Sequence, residues 1–238
     1  MKKAIVVGAT SGIGMAIAEK LIADQYSVGI TGRRENILKE MATAFPAQYI
    51  IQSFDVSDTE HLQKNLEELV SNLKGLDLFI ISAGTGDINE TLDFVLEKQM
   101  IDTNVSGFTC MADWAWRYFE KQGSGHLVAI SSVAGLRGSR QAPAYSATKS
   151  YQINYLEGLR QKAKKEKSGI TVTDIRPGFV DTPMAKSPVK FWVAPVEKAA
   201  DQIYLAIQQK RNIVYVTKRW RLIAWIIKII PGFIYSRL

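Results

Sequence analysis

A chain of 238 residues with 47% apolar and 22% charged side chains suits one domain with a large core, and it holds no repeat or low-complexity tract. The single cysteine, Cys110, excludes an internal disulfide framework, and two histidines leave no metal-ligand cluster, so no metal site and a cytoplasmic location are expected. The net charge of +7 suits nucleic acid, an acidic membrane surface or an anionic ligand. There is no nucleic-acid-binding motif, and Lys162, Lys164, Lys165 and Lys167 stand at a polar helix end where cations suit the dipole.

Lys2 and Lys3 precede an apolar run over residues 4–7 that is too short for a signal-peptide core and reads as a strand buried on both faces. It enters Gly8-Ala9-Thr10-Ser11-Gly12-Ile13-Gly14, followed by an amphipathic helix over 13–23. A glycine-rich turn between a strand and a helix N-terminus suits a pyrophosphate. The backbone can approach the anion closely, and unpaired N–H groups face it. The second strand, 27–31, ends in Gly32-Arg33-Arg34. Gly32 stands where dinucleotide folds place an acid against the ribose 2′-hydroxyl, and arginine suits a 2′-phosphate. NADP is therefore favoured over NAD, with Arg33 the expected phosphate contact. Arg34 reads equally as a second contact or as the start of a solvated helix over 35–42.

Further strands are predicted at 49–54, 76–81, 126–130, 170–175 and 212–216, with helices at 58–71, 92–119, 145–167 and 196–208. Trp114, Trp116, Tyr118 and Phe119 are expected to pack against the sheet or a partner subunit. The alternation predicts an α/β fold of Rossmann type: one domain with a doubly wound, seven-stranded parallel sheet in the order 3-2-1-4-5-6-7 and helices on both faces. Gly8, Asp55, Ala83, Ser132 and Pro177 all follow strands and fall on one edge of that sheet, where such folds bind ligands.

Tyr145 and Lys149 lie four apart on the 145–167 helix and share one face. Free tyrosine titrates near pH ~10. A neighbouring ammonium favours the phenolate and brings the phenol toward working pH as a general acid or base.

Taken together, Gly8 to Gly14, Asp55-Val56, Ser82-Ala83-Gly84, Asn104-Val105, Ile130-Ser131-Ser132, Tyr145 with Lys149, and Pro177-Gly178 resemble the short-chain dehydrogenase/reductase family in order and spacing over nearly the whole chain. Val7 and Ser82 depart from that pattern, which usually has threonine and asparagine there. Ser11 stands where NADP-dependent members often carry a basic residue. The resemblance implies an NADP(H)-dependent carbonyl reductase, transferring hydride between nicotinamide and a carbonyl or secondary alcohol. Tyr145 would move the proton, and Ser132 would hold the carbonyl oxygen. Lys149 would bind the nicotinamide ribose and lower the Tyr145 pKa, while Asn104 would hold a relay water. Gly8, Thr10, Ser11, Gly12, Ile13, Gly14, Arg33 and Arg34 would take the phosphates, and Asp55 and Val56 the adenine. Ala83 and Gly84 would line the ribose path, with Pro177, Gly178, Val180 and Thr182 around the nicotinamide. The thirteen-residue step to Tyr145 selects Ser132 over Ser131. Members commonly oligomerise, so a homodimer or homotetramer is expected.

Residues 182–195 fall where the family places its substrate-covering loop. Met184, Phe191, Trp192 and Val193 suit an apolar carbonyl compound, and Lys186 and Lys190 an anionic group on it. Residues 1–217 form the expected reductase domain and 218–238 an apolar, basic tail. Its longest apolar run, 222–227, falls far short of the ~20 residues that span a bilayer. The tail either docks on the fold or a second subunit, or lies peripherally in a membrane interface. Two other functions stay open: a non-catalytic NADP-binding scaffold or sensor, and a membrane-surface reductase of a lipid-derived ketone or aldehyde.

Overall fold

The central strand, β1 (Lys3–Val7), divides its side chains between two cores. Ala4 and Val6 enter one apolar cluster, Ile5 and Val7 the other, and all four are fully buried. A strand covered on both faces has no room for polar alternation, which is why this run is continuous. The computed structural model describes residues 1–184 and 191–237, so Lys186 and Lys190 lie outside the described residues.

Strands β2 (Ser27–Gly32) and β3 (Tyr49–Ser53) extend the sheet on one side of β1. On the other side follow β4 (Leu78–Ile81), β5 (Gly125–Ile130), β6 (Ile170–Pro177) and β7 (Ile213–Val216). The order is the expected 3-2-1-4-5-6-7, and every ladder is parallel. Parallel neighbours require crossovers, and helices supply them on both faces. One face carries α1 (Gly12–Ala23), α2 (Glu35–Ala44) and α7 (Val196–Gln208), which bury Ile17, Leu21, Leu38 and Ile203. The other carries α3 (Thr59–Leu73), α5 (Phe108–Gln122) and α6 (Pro143–Glu166), burying Leu62, Leu66, Phe119 and Leu156.

Local chemistry explains where element boundaries differ from the sequence pattern. Asp58 caps α3 rather than joining it, its carboxylate accepting from His61 N–H at 3.3 Å. Pro143 opens α6 two residues before Tyr145, at a position where a missing N–H costs nothing. The run expected as one helix over 92–119 is α4 (Phe94–Ile101), a π turn (Asp102–Gly107) and then α5. Leu92, with φ of 57°, is left-handed and stays outside. Trp114, Trp116 and Phe119 are buried inside this chain, Trp114 against Phe79 with ring centroids 5.4 Å apart.

Beyond β7 the tail forms α8 (Trp220–Ile229) and, after Pro231, α9 (Gly232–Tyr235). Among the described residues no helix is long and apolar enough to cross a membrane.

Candidate active site

The carboxyl edge of the sheet opens on a cavity of about 1040 Å³. At one end lies the turn from β1 into α1. Gly8 has a φ of +86°, and a Cβ there would sit 2.5 Å from Ala83 N, so only glycine admits this pass beside β4. Gly8 and Ala9 donate to Thr31 O at 2.9 and 3.0 Å, which fixes the turn to β2. Ser11 occupies the N-cap of α1 without capping it, because its Oγ accepts from Arg34 Nη2 at 2.7 Å instead. Arg34 also donates to Thr10 Oγ1 from Nε and Nη2, at 3.2 and 2.8 Å. The first N–H groups of α1 therefore lack side-chain partners, and a guanidinium is held beside them.

Arg33 stands differently. Its side chain is 75% exposed, with Nη1 3.6 Å from Asp55 Oδ2. The other Asp55 oxygen accepts from Ser57 N and Oγ at 2.9 and 2.8 Å. Sequence weighed Arg33 above Arg34. The anchored guanidinium is that of Arg34, and it brings positive charge to Ser11, the position that lacks a basic residue of its own.

At the other end, Ser132, Tyr145 and Lys149 converge. Ser131 turns away, donating to Asp174 Oδ1 at 2.5 Å and Ile175 O at 3.1 Å. Asp174 is itself paired with Arg176 at 2.7 Å, both buried. Ser132 Oγ accepts from Ala134 N at 3.1 Å and shares a side-chain hydrogen bond with Tyr145. Part of the Tyr145 ring faces the cavity, yet burial pushes its phenol above the ordinary value, with the Ser132 bond acting in the opposite sense.

Lys149 is 3% exposed, and burial pushes its ammonium down to about 8, with Asp174 pulling upward. Its Nζ donates to Ile130 O and Gln152 Oε1, both at 2.9 Å. The expectation that Lys149 draws the Tyr145 pKa down is not what this arrangement produces. The ammonium is committed to other acceptors, and desolvation governs both groups.

Asn104 is fully buried within the π turn, a feature common where helices carry functional groups. Its side chain clasps Thr85 through Oδ1 (2.9 Å from Thr85 N) and Nδ2 (2.7 Å from Thr85 O), and Nδ2 also reaches Thr148 Oγ1 at 3.1 Å. Its backbone oxygen accepts from Gln152 Nε2 at 2.9 Å. A carboxamide thus joins the Asn104 carbonyl to the Lys149 ammonium, where the resemblance implies a water.

All the residues expected to hold a cofactor line this cavity except Gly14, which packs behind the wall against Gly8. Asn104 likewise lies behind it. Sequence reasoning missed Gln152, although it stands three residues beyond Lys149 on the same helix face. It also missed Gly86, which packs against the Tyr145 ring, and it allowed the tail to dock on the fold without assigning it to the cavity wall. Trp220, Ile223, Ile227 and Tyr235 complete the cavity beside Gly178 and Phe191. Trp220 is 4% exposed and lies so close to Gly178 that a Cβ there would be 1.9 Å from its ring. Among the described residues no cluster of His, Cys, Asp or Glu could hold a metal ion.

Residues 2–191 match the family model described as short chain dehydrogenase. An uncharacterized oxidoreductase of Staphylococcus epidermidis is 33% identical over 189 residues, covering 78% of this chain and 80% of that protein. One from Staphylococcus aureus is 30% identical over 217 residues, covering 89% and 93%. Among solved structures, a short-chain dehydrogenase from Streptomyces avermitilis superposes with a TM-score of 0.84 at 25% identity, over 99% of this chain and 93% of that one. A short chain dehydrogenase/reductase from Burkholderia phymatum, solved in complex with NAD, shares the fold at a TM-score of 0.85 and 19% identity, over 94% and 91%. The chain belongs to the short-chain dehydrogenase/reductase family, a family of oxidoreductases, with the Rossmann-like fold its sequence predicts.

Proposed function

We propose that this chain is an NADP(H)-dependent oxidoreductase acting on the carbonyl or secondary alcohol of an apolar substrate, through Asn104, Ser132, Tyr145 and Lys149. The observation that carries the reading is the placement of Ser132, Tyr145 and Lys149 in the same cavity as the uncapped α1 N-terminus and the Arg34 guanidinium.

A dinucleotide fits this edge of the sheet. The Gly8 turn and the α1 N–H groups suit its pyrophosphate, and Arg34, with Arg33 beside it, a 2′-phosphate. Binding of NADP by a structural neighbour, ElxO, solved with NADP bound, is in keeping with this choice. Asp55 and Val56 suit the adenine, and Pro177, Gly178, Val180 and Thr182 the nicotinamide end. When bound, the nicotinamide supplies or takes the hydride.

The chain itself manages the proton and the oxygen. Tyr145 gives its proton to the carbonyl oxygen, or takes it from the alcohol. Ser132 Oγ donates to the same oxygen and favours the negative charge that develops there. A phenol above its ordinary pKa is a poor phenolate, so Tyr145 starts protonated, as reduction requires. Lys149, pushed down to about 8, is the nearby group whose proton is exchangeable near neutral pH. Asn104 acts through Gln152, holding the amide that accepts from Lys149. The substrate wall of Phe191, Trp220, Ile223 and Ile227 supports an apolar compound.

The test is NADPH oxidation by the purified chain against a panel of apolar ketones and aldehydes. Tyr145→Phe keeps the ring on Gly86 and removes only the proton donor. It is expected to lower kcat by about 10²–10⁴-fold with NADPH affinity preserved. Nucleotide binding without turnover across the panel, unchanged in Tyr145→Phe, would instead favour a scaffold.

A further inference from the structure

The tail presents two apolar faces, and only one of them is used by the fold. Trp220, Ile223, Ala224 and Ile227 recur at helical spacing and turn inward, burying Trp220 and Ala224 and completing the cavity wall. Tyr235 pins the far end, donating to Gly138 O at 2.8 Å, while Arg137 donates to Ile230 O at 3.2 Å and sits 4.5 Å from the Tyr235 ring centroid. The opposite face carries Leu222, Trp225 and Ile229, exposed by 57%, 61% and 57%, and Phe233 continues it at 68%. Large apolar side chains grouped in this way mark an interaction surface rather than a solvated one.

Charge narrows the partner. No aspartate or glutamate follows Asp201, whereas Lys210, Arg211, Lys218, Arg219, Arg221, Lys228 and Arg237 do. These seven equal the whole formal charge of +7, so residues 1–201 are balanced; five of the seven lie in the tail itself, with no acid among them, whereas Lys210 and Arg211 precede β7 at the opposite edge of the sheet. A two-fold contact between copies through this face would bring like charges together with no acid in the segment to pair them. An anionic lipid surface answers both features at once, with tryptophan at headgroup depth and cations at the phosphates. At ten residues, α8 is about 15 Å long, half the hydrocarbon thickness, so it suits a position in the plane of the interface.

We propose that α8 and α9 dock this protein on anionic membranes, the outer face of α8 inserting at the headgroup boundary while its inner face walls the substrate cavity. The mouth of the cavity then opens beside the bilayer and receives apolar substrate from it. This last consequence rests on the reductase reading above; the docking does not.

The test is flotation of the full chain, without nucleotide or substrate, on phosphatidylcholine vesicles with and without one part in three phosphatidylglycerol. Binding is expected on the anionic vesicles and at least ~10-fold weaker on the neutral ones, as loss of several basic contacts at ~1 kcal/mol each requires. The pair Leu222→Ser and Trp225→Ser is expected to weaken anionic binding by about tenfold or more with the thermal midpoint unchanged. Brominated acyl chains should quench wild-type tryptophan emission more than that of Trp225→Phe. Failure to float on anionic vesicles, flotation indifferent to Leu222→Ser with Trp225→Ser, or conversion of a dimer to a monomer by that pair without lipid binding would each overturn the proposal. The last would assign the face to a second copy.

Discussion

The two sides of the cavity are held by opposite means. Behind Lys149 the wall is backed by a closed polar set: Asn104, Gln152 and Lys149 are almost wholly buried, and each hydrogen-bonds another member of the set or the backbone around it. Around Trp220 the wall is aromatic, with Phe179, Phe191 and Trp192 at 5.6, 5.0 and 6.4 Å and no hydrogen-bond partner for the indole N–H. Directional bonds fix atoms to within tenths of an ångström, as proton transfer needs. Ring contacts fill space without prescribing an orientation, as recognition of an apolar body needs. On the function proposed above, that division would put the chemistry on one wall and substrate choice on the other.

The largest effect expected from that difference is on stability. Trp220→Ala removes a buried ring packed onto Gly178 and should cost about 3–5 kcal/mol in urea unfolding, whereas Trp225→Ala, on the outer face of the same helix, should stay within about 0.5 kcal/mol. Equal costs would mean that α8 does not divide its faces as described. Trp220→Phe offers the sharper comparison, since it retains an aromatic wall and removes an unpartnered donor.

Next comes the phosphate end. Arg34→Ala is expected to weaken NADPH binding by about 10–100-fold while changing NADH binding less than about threefold, as loss of a charge-assisted hydrogen bond implies. Arg33→Ala should cost less, because its side chain is largely solvated and lies toward Asp55. Side-by-side titrations at one salt concentration decide it. The reverse order would return the phosphate to Arg33, and tight NADH binding would overturn the choice of cofactor.

The legible parts of this molecule were those in which the chain's own spacing is the cause. The unbroken apolar run of β1, the Gly8 turn feeding α1, and the four-residue step from Tyr145 to Lys149 follow from periods of two and 3.6 and from glycine's freedom at positive φ. Which of Arg33 and Arg34 is anchored to Thr10 and Ser11 was not legible, since adjacent residues at a strand end differ only in which way each side chain leaves the backbone. Nor was the tail's inner face, because apolar residues occur almost all round α8 and periodicity cannot say which of them meets Gly178. Gln152 was hidden for another reason. Its partner is a backbone carbonyl exposed to it in a π turn, and a helix pattern over 92–119 contains no sign of that turn.

The smallest expected effect tests whether Gln152 tunes Lys149 or merely fills space. The Gln152 Oε1 accepts from Nζ and so favours the ammonium against the burial that pushes it down to about 8. In Gln152→Leu that acceptor is lost, the charged form is disfavoured further, and the limb of the kcat/KM profile belonging to Lys149 should move to lower pH by about one unit. Gln152→Glu places a carboxylate beside the same nitrogen and should move the limb upward, while surrendering the donor to the Asn104 carbonyl. Damage to packing alone would lower the rate at every pH in both variants and leave the limb in place. Displacement in opposite directions is therefore the signature of electrostatic tuning, because only the charge beside Lys149 changes sign of effect between leucine and glutamate.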